Sequence, residues 1–234
     1  MRIGVFRTAD DGRRTAARLA ELGHEAVLAP VLRIVATGAT VPAGTADALV
    51  FTSAHAPETL AAHPDGLAHL QHLPCWCVGT RTAAAARTAG FTHVNAGAGD
   101  ATSLVGMIAV QHRTAGLTLV AGRDRKPDLE KGLAQAGLAL SVVEAYAAEA
   151  VSVWPAAIMA RLSDMQGALH YSRRSAELAL DLAETSGLGA HVRVAMHYCL
   201  SDDIRRALQR LGVHAAKVAT RPDEASLLAL LPPS

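Results

Sequence analysis

The sequence predicts an α/β protein built from two similar parallel-sheet domains, and three observations carry that reading. Short apolar runs alternate with longer helical patterns along the whole chain, the alternation that lays helices over parallel sheets. The pattern also repeats. Phe51-Thr-Ser53 with Ala56 resembles Tyr171-Ser172 with Ala176, and Val78-Gly79 with Gly90 resembles Leu200-Ser201 with Gly212. Arg7 to Gly23 likewise resembles Gly122 to Gly137, so units in one order are followed by similar units in the same order. Finally, 234 residues that are 50% hydrophobic and 18% charged hold enough apolar side chain for one large core or two small ones.

Taken in order, Arg2 to Phe6 reads as a strand and Thr15 to Leu22 as a helix closed by Gly23. Glu25 to Ala29 is the next strand, stopped by Pro30. Ala48 to Thr52 is a mostly apolar strand followed by a helix from Ala56 to Ala62. Cys75 to Val78 is a strand, and Thr82 to Ala89 a helix ended by Gly90. Leu117 to Ala121, Leu138 to Glu144, Ala168 to Tyr171, Val192 to Cys199 and Ala215 to Ala219 complete the strands. Helices fill the gaps, among them Lys126 to Ala136 and Asp203 to Leu211.

Composition narrows the function classes. Lys+Arg 22 against Asp+Glu 21 leaves no large basic footprint, and 3% aromatics leave few platforms for stacking bases. Nucleic acid is therefore not expected as a partner. No apolar run is long enough for a membrane helix, and MRIGVFRTADDGRR has neither an apolar core nor a cleavage site for export. Cys75, Cys77 and Cys199 are odd in number, and the first two are too close to pair, which fits a reducing cytoplasm.

Ligands of open α/β sheets sit beyond the carboxyl ends of the strands. The polar residues expected there are Arg7, Thr52, Ser53, Gly79 to Thr82, Gly122 to Arg125, Ser172 to Arg174 and Ser201 to Asp203. Small residues and hydroxyls at helix starts leave N–H groups open to anions, and the interspersed arginines suit a polyanionic small molecule. The same residues serve as ordinary N-caps, and pattern alone favours that structural role. Phosphate-loop and dinucleotide glycine motifs are missing, so no nucleotide cofactor is expected. His69, His72, Cys75 and Cys77 are clustered, but a tryptophan separates the cysteines on one strand, and no metal is expected. His63, His93, His112 and His214 read as surface residues. Tyr146 follows the strand ending at Glu144; its phenol has the chemistry to donate a proton in a cleft, although pattern alone reads it as a packing residue with its hydroxyl at the surface.

Several segments, in order, resemble the uroporphyrinogen-III synthase family. They are Arg7 after the first strand, Gly23-His-Glu-Ala-Val-Leu-Ala-Pro30, Phe51-Thr-Ser53, Val78-Gly79-x-x-Thr82-Ala83, and Ala121-Gly122 ahead of Leu129. Glu144-Ala-Tyr146, Tyr171-Ser172, Leu200-Ser201 and the tail Pro222-Asp-Glu-Ala-Ser-Leu-Leu follow. The resemblance implies two flavodoxin-like or Rossmann-like α/β domains joined by a two-stranded linker, with the ligand cleft between them. Residues 1–34 and 150–234 would form one discontinuous domain and 35–149 the other.

The resemblance also implies a reaction without cofactor. Hydroxymethylbilane, a linear tetrapyrrole with carboxylates on every ring, loses water to an azafulvenium cation. The cation attacks the substituted carbon of the last ring, and the spiro intermediate recloses with ring D inverted. Uncatalysed closure gives the type I isomer instead. Positioning is worth about 7–11 kcal/mol in favourable cases, against about 10²–10⁴-fold for one general acid, so the fold imposed on the substrate is expected to dominate. By resemblance, Tyr146 assists departure of the hydroxyl and Thr82 faces the substrate. Arg7, Ser53, Gly79, Gly122, Arg123, Ser172, Arg173 and Ser201 hold its carboxylates. The chain departs from the family pattern at Phe6, His55 and Asp203, the last expected to cap the helix before Ile204. A cytoplasmic monomer with a flexible hinge, in transient contact with hydroxymethylbilane synthase, completes the expectation. The alternative is a non-catalytic tetrapyrrole- or anion-binding homologue of the same fold.

Overall fold

The computed structural model of the chain describes residues 1–63, 67–111 and 116–233; His112 lies outside them. The chain runs β1 (Arg2–Val5), α1 (Ala9–Glu21), β2 (Glu25–Leu28), β3 (Leu32–Ala36), β4 (Ala48–Phe51), α2 (His55–Ala62) and β5 (Cys75–Cys77). It continues α3 (Thr80–Thr88), β6 (Val94–Ala96), α4 (Ala101–Gln111), β7 (Leu117–Gly122), α5 (Asp128–Gln135) and β8 (Leu140–Ala150). Then come α6 (Ala156–Leu162), β9 (Gly167–His170), α7 (Arg173–Thr185), α8 (Gly189–Val194), β10 (Met196–Cys199), α9 (Asp202–Arg210), β11 (Ala216–Val218) and α10 (Glu224–Leu228).

These elements divide into two compact units, Met1–Arg33 with Glu149–Ser234, and Ile34–Ala148. The first holds a sheet in the order β11-β10-β9-β1-β2, with every pair parallel. Alternation sets its two faces: Ile3, Val5 and Leu169 pack to one side, Phe6 and Ala168 to the other. The second sheet runs β3-β8-β7-β4-β5-β6, parallel from β8 through β6. Within β4, Leu49 and Phe51 join the core beneath α2 and α3, whereas Ala48 and Val50 face α4 and α5. Sheets covered on both faces need fully buried strands, and β4, β5, β7 and β9 are buried at every position.

Several elements differ from the sequence expectation. Helix α1 starts at Ala9 rather than Thr15, because the face it buries is Gly12, Thr15 and Leu19 and shows no apolar stripe in the sequence. Thr8 caps it by accepting from the Asp11 N–H. Val192 to Val194 belong to α8, with Val192 N–H donating to Leu188 O at 2.9 Å, so β10 begins only at Met196. Strands β3 and β6 have no counterpart in the sequence expectation. Strand β8 continues to Ala150, so Tyr146 lies inside a strand rather than after one. Asp203 is in the first turn of α9; the cap is Ser201. Gly23 and Gly90 do close their helices, with φ of +74° and +97°.

Candidate functional site

In the second unit, β4 and β7 are neighbours, but the chain leaves them toward opposite faces. Ala56 and Leu60 of α2 pack on one side of the sheet, and Leu129 and Leu133 of α5 on the other. Such a divergence opens a crevice at the carboxyl ends of the strands. A cavity of about 500 Å³ lies there, lined by Thr52 and Ser53 after β4, Val78 after β5, Gly122 to Lys126 save Arg123 after β7, and Tyr146 of β8. Gly99, Asp100 and Ala101 at the start of α4, Asp128 and Leu129 of α5, and Leu119 complete the wall.

Tyr146 is 9% exposed, and its phenol is turned inward. Burial pushes its pKa above the usual tyrosine value, while hydrogen bonds from the Ser53 side chain and the Gly122 backbone pull it back in part. Its ring packs closely against Gly122: a Cβ built there would stand 2.7 Å from Cε2 and 3.0 Å from Cζ. His55 meets the same ring edge-on at 5.8 Å and places Nδ1 3.2 Å from Glu58. Between β7 and β8 the register steps from Ala121↔Glu144 to Gly122↔Tyr146, a bulge with Ala145 as the extra residue.

Cations and carboxylates alternate around this crevice. Arg125 donates from Nε to Glu130 at 2.8 Å and from a terminal nitrogen to Glu144 at 2.8 Å. Lys126 is exposed at the rim. Asp100 accepts from the Ser103 N–H at 2.8 Å, capping α4. Of the expected site residues, Ser53, Gly122 and Tyr146 thus share one cavity. Gly79 caps α3, and Thr82 is 5% exposed in its first turn; neither lines that cavity. Arg123 is exposed, 3.9 Å from Glu144.

In the first unit the equivalent divergence falls between β1 and β9, where Arg7 and Tyr171 meet. The Arg7 guanidinium stacks 3.9 Å above the Tyr171 ring. It also donates to Thr15 at 3.2 Å and lies 3.4 Å from Glu224 and 3.7 Å from Asp11. Glu224 accepts from the Tyr171 phenol at 2.6 Å and from Thr15 at 2.8 Å, and pairs with Arg18 at 2.5 Å. Burial works against its charge, yet these donors and the arginines hold it below the usual carboxylate range. The Tyr171 phenol is pushed well above its ordinary value, by burial first and by Glu224 next. Ser172 caps α7, accepting from the Ser175 N–H at 3.1 Å, and exposed Arg173 pairs with Glu177 at 3.3 Å. Ser201 caps α9 through its backbone alone. Phe6 is buried between Trp154 and His170 at 5.8 and 5.7 Å, a core residue.

Arg125 is the last of the strand-tip residues expected after Gly122 from the sequence, whereas Lys126, Glu144 and Glu224 do not stand out there as site residues. Lys126 is findable as the next residue of the same loop. The carboxylates take their place from tertiary packing. Cys75, Cys77 and Cys199 are buried free thiols, with Cys77 pushed up to about 12 by burial. His69 bonds the Val41 carbonyl at 2.9 Å. His93 and His214 are exposed and His63 half-buried. Among the described residues, no group of three or more His, Cys, Asp or Glu is arranged to hold a metal ion.

The family profile described as "Uroporphyrinogen-III synthase HemD" matches residues 13–229. The crystal structure of uroporphyrinogen-III synthetase from Helicobacter pylori is similar over 98% of each chain, at 16% identity and a TM-score of 0.64, which shows a shared fold. A mutant uroporphyrinogen III synthase from the extremely thermophilic bacterium Thermus thermophilus matches at 17% identity and a TM-score of 0.49, over 98% of this chain and 96% of that one. No curated protein matches the chain.

Proposed function

The chain belongs to the uroporphyrinogen-III synthase family, and from that premise we propose how its residues carry out the cyclisation of hydroxymethylbilane to uroporphyrinogen III. The enzyme is a lyase of haem biosynthesis that acts on a small tetrapyrrole. The observation that carries our reading is the Tyr146 phenol, turned into the crevice beside Ser53 and Gly122.

Tyr146 donates its proton to the hydroxymethyl oxygen as the C–O bond breaks. The electron pair of that bond leaves with oxygen, water departs, and the pyrrole nitrogen supplies the electrons that make the azafulvenium cation. Donors from Ser53 and the Gly122 backbone favour the phenolate that remains, offsetting part of the burial that disfavours it. An ordinary tyrosine phenol is already protonated at neutral pH, and the upward shift from burial keeps Tyr146 in the donating form there. In this reading Thr82 faces the substrate, Arg7, Ser53, Gly79, Gly122, Arg123, Ser172, Arg173 and Ser201 hold its carboxylates, and the fold they impose prevents head-to-tail closure. The protein acts as a cytoplasmic monomer that meets hydroxymethylbilane synthase transiently. Among the described residues, no helix is long and apolar enough to cross a membrane.

The test is Tyr146→Phe assayed with fresh hydroxymethylbilane. Turnover is expected to fall by up to about 10²–10⁴-fold, the range of a single general acid, with the type III isomer still formed because positioning survives. An unchanged rate removes Tyr146 from the chemistry.

A further inference from the structure

We propose that Arg125 is a positioning residue for Tyr146: by clamping Glu144 and the Gly122 carbonyl, it locks the β8 bulge that turns the phenol into the crevice. The inference rests on the reading of Tyr146 as the acid, but its geometric part stands separately.

In a regular strand, residues two apart share a face. Leu140 and Val142 of β8 pack toward α4 and α5, and an unbulged strand would carry Glu144 and Tyr146 to that same side. Instead Tyr146 joins Val143 and Ala145 in the core beneath α2 and α3. Strands β7 and β8 pair in step up to Ala121↔Glu144, and inserting Ala145 makes the next pair Gly122↔Tyr146. That single extra residue decides which face receives the phenol.

A bulge gives up a ladder position and has to be held in place by its neighbours. One guanidinium spans this one. A terminal nitrogen of Arg125 donates to Glu144 Oε1 at 2.8 Å, on the near side of the bulge. The same nitrogen reaches the carbonyls of Gly122 at 3.3 Å and Arg123 at 3.5 Å, on the facing strand and just beyond it. Nε donates to Glu130 of α5 at 2.8 Å, fixing the helix that follows the loop. The ladder then resumes with Arg123 N–H to Tyr146 O at 2.9 Å. Arg125 is only 23% exposed, and two carboxylates already balance its charge, so its work is structural aim rather than substrate binding. Only a planar fork reaches these directions at once; an ammonium does not.

Tyrosine ¹³Cζ NMR of the full chain tests this, since the sequence holds only three tyrosines and Tyr146→Phe assigns the signal. Arg125→Gln and Glu144→Gln should each shift or split the Tyr146 resonance. They should lower kcat by about 3- to 100-fold, the cost of misplacing a reacting group, with KM within about twofold. In a Tyr146→Phe background neither should lower kcat further, and Arg125→Lys should not restore it. Should Arg125→Gln fail to fold, Glu144→Gln, at a half-exposed and isosteric position, decides alone. An unmoved Tyr146 signal, or kcat losses that multiply with Tyr146→Phe, overturns the proposal. A shifted signal with Tyr146→Phe at the wild-type rate upholds the positioning and overturns the acid role instead.

Discussion

Tyr146 and Gly122 are shaped to each other. The ring occupies the volume a Cβ at position 122 would need, approaching that point to 2.7 Å. Backbone dihedrals do not demand glycine here, since Gly122 is not among the residues with positive φ; the close approach does. Gly122→Ala is therefore expected to push the phenol away from Ser53. A displacement of about 1 Å costs up to about 10²-fold in rate, and the overpacking about 1–3 kcal/mol in stability. Activity and thermal melts on the same preparation separate the two effects, and a wild-type rate would show that the ring's placement is immaterial. The raised pKa of Tyr146 gives a second expectation. The protonated phenol is the active form, so its contribution to kcat persists through neutral pH and is lost only as pH rises above the ordinary tyrosine value near 10. A loss of that contribution on passing from pH 7 to 9, absent in Tyr146→Phe, would contradict it.

At the scale of elements, β9 and β10 carry a feature of a different kind. His170 and His197 are buried at 1% and 0% exposure, their rings stacked with centroids 5.0 Å apart. The Val192 carbonyl can only accept, so His197 Nε2 donates to it at 2.8 Å and leaves its Nδ1 as an acceptor. His170 Nε2 donates to that Nδ1 at 2.8 Å, and the unpartnered His170 Nδ1 is a bare lone pair. Burial lowers both imidazoles' affinity for protons, with the neighbouring His197 adding to the effect at His170. The unfolded chain thus binds more protons below about pH 6.5, and stability is complete above that pH and falls below it. The slope reaches up to about 1.4 kcal/mol per pH unit for each histidine. Melting temperature should drop from pH 7 to pH 5, and less so in His197→Asn; equal slopes would refute the assignment.

The elements also show what is legible in the sequence. Apolar runs such as Ala48 to Phe51 announce β4 because every position is buried, and Gly23 and Gly90 announce helix ends. The first two turns of α1 are hidden because its buried face is glycine and threonine as much as leucine. The bulge at Ala145 leaves no trace in periodicity, since Val143, Ala145 and Tyr146 differ too little from an ordinary strand. Residues on the tips are identifiable as a set. Which of them share a cavity depends on strand order, and that is fixed by long-range packing.

Across the whole molecule, the repeat seen in the sequence maps onto the sheets. The matched segments end strands β1, β9 and β10 in one unit and β7, β4 and β5 in the other, and these stand side by side in the same spatial order. In the chain's own sequence, however, each unit is threaded differently. The first sheet reads 2-1-3-4-5, and the second, leaving aside edge strand β3, reads 3-2-1-4-5; the orders are those of flavodoxin-like and Rossmann-like sheets. Each unit therefore has one crevice where its helices diverge. In the first unit Glu224 pairs with Arg7 and Arg18 at the crevice, and in the second the cavity lies beside Tyr146. Replacing Glu224 by Gln is expected to destabilise the first unit by about 3–5 kcal/mol at most, the cost of breaking a partly buried charged network, which denaturant unfolding would register. Stability equal to wild type would show that the network is ornamental.

The central claim is that this chain directs ring closure with inversion. Its most direct test gives the folded, purified protein freshly generated hydroxymethylbilane and separates the uroporphyrinogen isomers after oxidation. Predominantly type III, formed faster than spontaneous closure, is the expected result. Type I alone, at the uncatalysed rate, would contradict it.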